Sequence, residues 1–106
     1  MAGNPWAGEV ALTVDGRTYQ MKLTLGVLAE LEATLETESL VDLVERFEAG
    51  RCSTADVMQL LVAGLRGGGW HGSLRDLLAA DIEGGVMQGV RAVGRLLAVS
   101  FADPFA

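Results

Sequence analysis

The chain has 106 residues, half of them apolar and only 6% aromatic, with a formal net charge of −6. That length suits one domain with an aliphatic core and is too short for two. No apolar run reaches the roughly 18 residues of a membrane-spanning helix, and the acidic balance disfavours nonspecific nucleic-acid binding, which relies on Lys and Arg to neutralise phosphates.

The charge is unevenly placed. Residues 1–53 carry nine acids against four bases, whereas residues 54–106 carry five acids and four arginines. The first half therefore reads as a solvated acidic surface or a face for a basic partner. The N-terminus MAGNPWAGEV lacks the basic-then-apolar order of a secretory leader. The single cysteine, Cys52, cannot close an internal disulfide, which fits a reducing compartment. A soluble cytoplasmic protein is expected, with a disulfide-linked dimer through Cys52 left open.

Residues 1–7 read as a lead-in, with Trp6 available to tuck against a sheet. Next comes a β-hairpin over 9–23, centred on Asp15-Gly16, because a two-residue type I′ turn needs positive φ at both positions. This register pairs Val14 with Arg17, Leu12 with Tyr19 and Val10 with Met21, placing the large apolar side chains on one face. Glu9 with Lys22 and Thr13 with Thr18 fall on the other, as favourable cross-strand neighbours. A lone hairpin is marginal in water, so helices must cover its apolar face.

Thr24 can cap a helix over about 25–36, whose Leu25, Leu28, Leu31 and Leu35 follow the helical period and are expected to lie on the hairpin. Three further helices open on Ser-x-x-Asp, a capping box with Asp replacing the usual Glu. They begin at Ser39, Ser53 and Ser73 and run over about 40–49, 54–66 and 74–80. Leu40, Leu43, Val44 and Phe47 point inward on the first of these, which ends at Gly50. Val57, Leu60, Leu61 and Leu65 point inward on the second. Gly67-Gly68-Gly69 reads as a terminator that leaves 67–72, with Trp70 and His71, as a flexible loop. The last helix, about 86–101, carries a stripe of Val86, Val90, Val93, Leu97 and Phe101. The fold class is α+β: a two-stranded antiparallel hairpin on a small bundle of four to five helices.

Chemistry-bearing patterns are sparse. His71 is the lone histidine and sits among glycines, whereas a catalytic imidazole needs a nucleophile and an orienting partner on rigid elements. Cys52 next to a helix start could have a lowered thiol pKa, but no nearby base accompanies it, and a half-buried structural cysteine is the favoured reading. The glycine triplet lacks the Lys-Ser or Lys-Thr of a phosphate loop. One His and one Cys nineteen positions apart match no metal-ligand spacing. Neither an enzyme nor a cofactor is expected.

Two candidate partner-binding features remain. Glu32, Glu36 and Glu38 crowd the C-terminal end of the first helix, where the dipole favours cations and where Glu32 and Glu36 repel each other. Arg91 and Arg95 share one side of the last helix, as a contact for an acidic partner, and Trp70 is an aromatic candidate on the glycine-rich loop. An ordinary solvated face is the plain alternative for the acidic group. Internal packing is the plain alternative for the small residues Gly64, Gly85, Gly89 and Ala92. The hairpin has no edge proline or bulge, so pairing with another copy to form a homo-oligomer also stays open.

The block GEVALTVDGRTYQMKLTLGVLAELEATL resembles the opening of the gene transfer agent family found in alphaproteobacterial prophage-like tail clusters. The segment at 53–69, the short helix after it and EGGVMQGVRAVGRLLAVSF at 83–101 extend the resemblance over nearly the whole chain. Members are described as phage tail tube or tail assembly proteins, without catalytic residues. The resemblance implies a tail assembly chaperone that binds the tape measure protein or the major tail tube protein before polymerisation. A structural tail component retained in the particle is the alternative. A regulator binding nucleic acid through Arg66, Arg75, Arg91 and Arg95 ranks lower.

Overall fold

A computed structural model describes residues 9–35 and 39–101. Strands β1 (Val10–Val14) and β2 (Arg17–Met21) form the hairpin in the expected register, Val10 opposite Met21, Leu12 opposite Tyr19 and Val14 opposite Arg17. Asp15 and Gly16 have φ of +50° and +79°, as a type I′ turn requires. Val10, Leu12, Val14 and Met21 are buried on one face. On the other, the Thr13 and Thr18 hydroxyls hydrogen-bond at 2.8 Å.

Among the described residues five helices follow: α1 (Leu25–Leu35), α2 (Leu40–Glu48), α3 (Thr54–Gly67), α4 (Leu74–Leu78) and α5 (Gly85–Phe101). Thr24 Oγ1 accepts the Val27 N–H at the start of α1. All three Ser-x-x-Asp signals are complete capping boxes: Ser39, Ser53 and Ser73 each accept an N–H from Asp42, Asp56 and Asp76, whose carboxylates accept the serine N–H in return. Gly50, at φ +72°, lies just beyond the cap of α2. Asp56 serves twice, since it also accepts from Arg46 at 2.6 Å and thereby ties α2 to the first turn of α3.

Helix α3 is the hub, packing on β2, α1, α4 and α5, while α5 packs on β1. It buries Val57, Leu60, Leu61, Ala63, Gly64 and Leu65, residues spread over more than one face. The expected position of α1 is corrected accordingly. Its partners are α3 and α2, only Leu31 is buried, and Leu25 is 86% exposed. The reason lies in the glycine edge of α3. A Cβ on Gly67 would strike the carbonyl oxygen of Lys22, and one on Gly68 that of Gln20, so the two backbones approach more closely than side chains would allow. The Lys22 N–H donates to the Gly64 carbonyl at 3.1 Å across this seam. Helix α1 offers no comparable edge and packs outside it.

Other expectations shift for similar reasons. The buried face of α5 runs through Gly89, Ala92, Val93, Leu96 and Leu97, while Val86 is 66% exposed and Val90 half-buried. Small residues explain the rotation: Leu61 abuts Gly89, and Leu96 abuts Gly64 on α3. The side chain of Phe101 lies outside the described set. Nor is 67–72 a bare loop, because Gly67 closes α3, the Trp70 N–H donates to the Leu65 carbonyl at 2.9 Å, and the Trp70 ring packs against the core.

Residues 81–83 add an unforeseen third strand-like segment. Val14 bridges Ile82, the Asp15 N–H donates to the Asp81 carbonyl at 2.8 Å, and the Glu83 N–H donates to the Thr13 carbonyl at 3.0 Å. The Asp81 N–H returns a bond to Asp15 Oδ1 at 2.9 Å. This clasp covers the turn-proximal part of the β1 edge, and the glycine edge of α3 lies along β2 at Gln20 and Lys22.

Candidate functional site

The clasp has a second effect, because it fixes the α4–α5 connection as one wall of an apolar groove of 710 Å³. Its opposite wall is the first half of α3, through Thr54, Val57, Met58 and Leu61. The first turns of α5 supply Gly85, Val86, Gly89 and Val90. Leu77 and Leu78 of α4 close one part, and Phe47 near the end of α2 with Gly50 and Cys52 from the α2–α3 connection closes another. Leu78 and Val86 remain 65% and 66% exposed. Two large apolar side chains of one groove thus stand in water together, whereas scattered ones would carry no meaning.

Polar groups in the lining are few and mostly engaged. Ser53 Oγ accepts the Asp56 N–H in its cap. The Asp81 backbone is held by Asp15 on both its N–H and its carbonyl. The Cys52 thiol, half-buried, points its hydrogen at the Leu43 carbonyl 3.9 Å away. Asp81 is the one charged residue of the lining among the described residues. Such a surface can bury apolar groups, and it presents no set of convergent donors to orient a polar substrate.

The sequence-derived candidates fall elsewhere. Glu32 is exposed on α1; Glu36 and Glu38 lie outside the described residues. Trp70 is half-buried against the core, with its ring over Gly72. Arg91 and Arg95 are both exposed on α5, four residues apart, and neither lines the groove. Arg66 faces Glu30 at 3.4 Å. His71 is exposed. Among the described residues, no three His, Cys, Asp or Glu side chains are grouped to hold a metal ion, and no helix is long and apolar enough to cross a membrane.

Among the described residues two carboxylates have lowered pKa values, both within caps. The Arg46 guanidinium, hydrogen-bonded to Asp56, holds that carboxyl below its usual range, with the Ser53 bonds adding to the effect. Asp76 is lowered mainly by the Ser73 backbone N–H. Their chemistry is structural, since both carboxylates already accept the bonds that shift them.

Reading the sequence as helical stripes missed the groove, since Val86 and Val90 counted as core. A usable signal was present in Leu77-Leu78-Ala79-Ala80, an apolar run that continues past the end of the short helix at Leu78.

Residues 7–103 match the model of a protein family described as phage tail tube protein, GTA-gp10. No curated protein and no solved structure matches the chain.

Proposed function

From the premise that this chain belongs to the phage tail tube protein, GTA-gp10 family, we propose that it is a noncatalytic interaction protein for phage-like tail assembly. It acts as a chaperone that binds the tape measure protein or the major tail tube protein before polymerisation and is absent from the finished particle. The observation that supports this reading best is the open groove with the exposed Leu78 and Val86 in its lining. Each is a large apolar group left in water by the isolated chain, and clusters of this kind mark protein-binding sites. A tape measure protein is a long helical chain whose apolar stripe needs cover until tube subunits surround it. An apolar groove between helices is suited to provide such cover.

A second reading, a structural component retained in the tail, draws support from the family's description as a tail tube protein. In that case the groove would be covered by a neighbouring subunit. Co-expression separates the two. The chaperone reading expects the tape measure or tube protein to move from the insoluble to the soluble fraction, in complex with this chain, when both are made together. Unchanged solubility of both proteins would count against it.

A further inference from the structure

Residues 73–83, which carry the Leu77, Leu78, Ala80, Asp81 and Ile82 wall of the groove, are attached more lightly than the helices they face. Leu77 is the one buried residue between Ser73 and Glu83, whereas α3 buries six. Helix α4 packs on α3, and three hydrogen bonds tie Asp81 and Glu83 to β1 and its turn. They run from the Asp15 N–H to the Asp81 carbonyl, from the Glu83 N–H to the Thr13 carbonyl and from the Asp81 N–H to Asp15 Oδ1. Segments with so few buried apolar groups lie at the low end of a protein's local stabilities.

Both ends of the segment are marked. Just before it, Trp70 holds the chain to the core, with its N–H on the Leu65 carbonyl and its ring over Gly72. Just after it, Gly84 and Gly85 follow each other at φ of +87° and +74° and turn the chain from the clasp into α5. Such a pair at the end of an element can absorb a large backbone change. Within the segment, α4 and the clasp are coupled by a short tether. Ala79 and Ala80 alone join Leu78 to Asp81, a reach of about 10 Å. A clasp that leaves β1 by more than that pulls α4 with it. A five-residue helix that has lost α3 is far below the roughly 12 residues needed to persist alone.

We infer that residues 73–83 open as one unit, hinged at Gly84-Gly85, while the hairpin and the other helices stay folded. Opening carries α4 off α3 and the clasp off β1 together. It uncovers Leu77 and the part of α3 beneath it, and it frees the Asp15 N–H and the Thr13 carbonyl on the β1 edge. The 710 Å³ groove is then the closed form of a wider trough that runs from α3 to a bare strand edge. Such an edge pairs readily with a further strand, and in the closed form the clasp covers it. The inference concerns the isolated chain and holds or fails independently of the tail-assembly reading.

Amide hydrogen exchange of the full chain by NMR, at a pH where rates scale with hydroxide, tests it. The Asp15, Leu77, Asp81 and Glu83 amides should share one protection factor, at least about tenfold below that of Leu61 in α3, whose exchange reports unfolding of the whole chain. Ser73→Ala removes the cap of α4 and should speed exchange at all four by about fivefold, the clasp amides included. Ser39→Ala weakens α2, outside the unit, and should speed Leu61 by a similar factor while leaving the four unchanged. A Ser73→Ala effect confined to Leu77 would overturn the inference, because the clasp would then move without α4. Protection of the four equal to that of Leu61, or equal acceleration of all five by Ser39→Ala, would overturn it too, because the segment would then open only when the whole chain unfolds.

Discussion

Changing Gly67 to Ala should reverse the sign that helix propensity assigns. Gly67 is the last residue of α3 and does not have positive φ, so alanine there would be favoured by up to about 1 kcal/mol on propensity alone. Its Cβ, however, would land on the carbonyl group of Lys22, and backbone cannot swing aside as the end of a side chain can. Forcing atoms into a filled contact costs about 1–3 kcal/mol. Displacing this end of the hairpin also strains the Lys22 N–H to Gly64 carbonyl bond, worth about 1 kcal/mol. The net is a loss of about 2 kcal/mol, or a fall of about 8 °C in Tm for a chain of this size. Gly26 supplies the control. It sits in the first turn of α1 with nothing within 4 Å of an added Cβ, so Gly26→Ala should gain up to about 1 kcal/mol. Urea unfolding followed by circular dichroism measures both. If the two variants shift stability in the same direction, the close approach of α3 to β2 is wrong.

The remaining predictions concern the clasp, the caps and acid stability. Asp15→Ala loses the acceptor for the Asp81 N–H and places alanine at φ +50°, so it should cost about 1–2 kcal/mol and speed hydrogen exchange at the Asp81 amide. Asp15→Asn keeps an acceptor and tolerates that φ, and should stay near wild type. Ser39→Ala, Ser53→Ala and Ser73→Ala should each lower stability by about 1 kcal/mol in urea titrations, since each removes the side-chain acceptor at a helix start. Asp56 and Asp76 have folded-state pKa values below the ordinary 3.8. Their contribution is present above that value and lost as pH falls through the lowered ones. Stability should therefore drop below about pH 4, and Asp56→Asn should flatten the acid limb while costing stability at neutral pH.

Much of the architecture was legible because it is local. Asp15-Gly16 sets turn type and register together, and each Ser-x-x-Asp signal needs only four residues to satisfy the first N–H groups of its helix. The rest depends on elements far apart in sequence. Helical period alone assigned Leu25 to the core, yet burial there required α1 to lie on the hairpin, a place that the glycine edge of α3 occupies. The same period made Val86 continuous with Val93, although the cover over α5 does not extend to its first turn. Ile82 between Asp81 and Glu83 is the only alternation that hints at a third strand, and three residues are too few to read as one. The groove is the sum of these misses. It exists because the clasp holds 81–83 to β1 and α4 stops at Leu78, facts that no single segment contains.

The tail-assembly account meets its most direct test in mass spectrometry of two samples from cells making the tail proteins: the eluate of the tagged chain, and purified particles. It predicts tape measure or tube protein in the eluate and none of this chain in the particles. Abundant chain in the particles would make it a structural component, and an eluate with no tail protein would contradict the account outright.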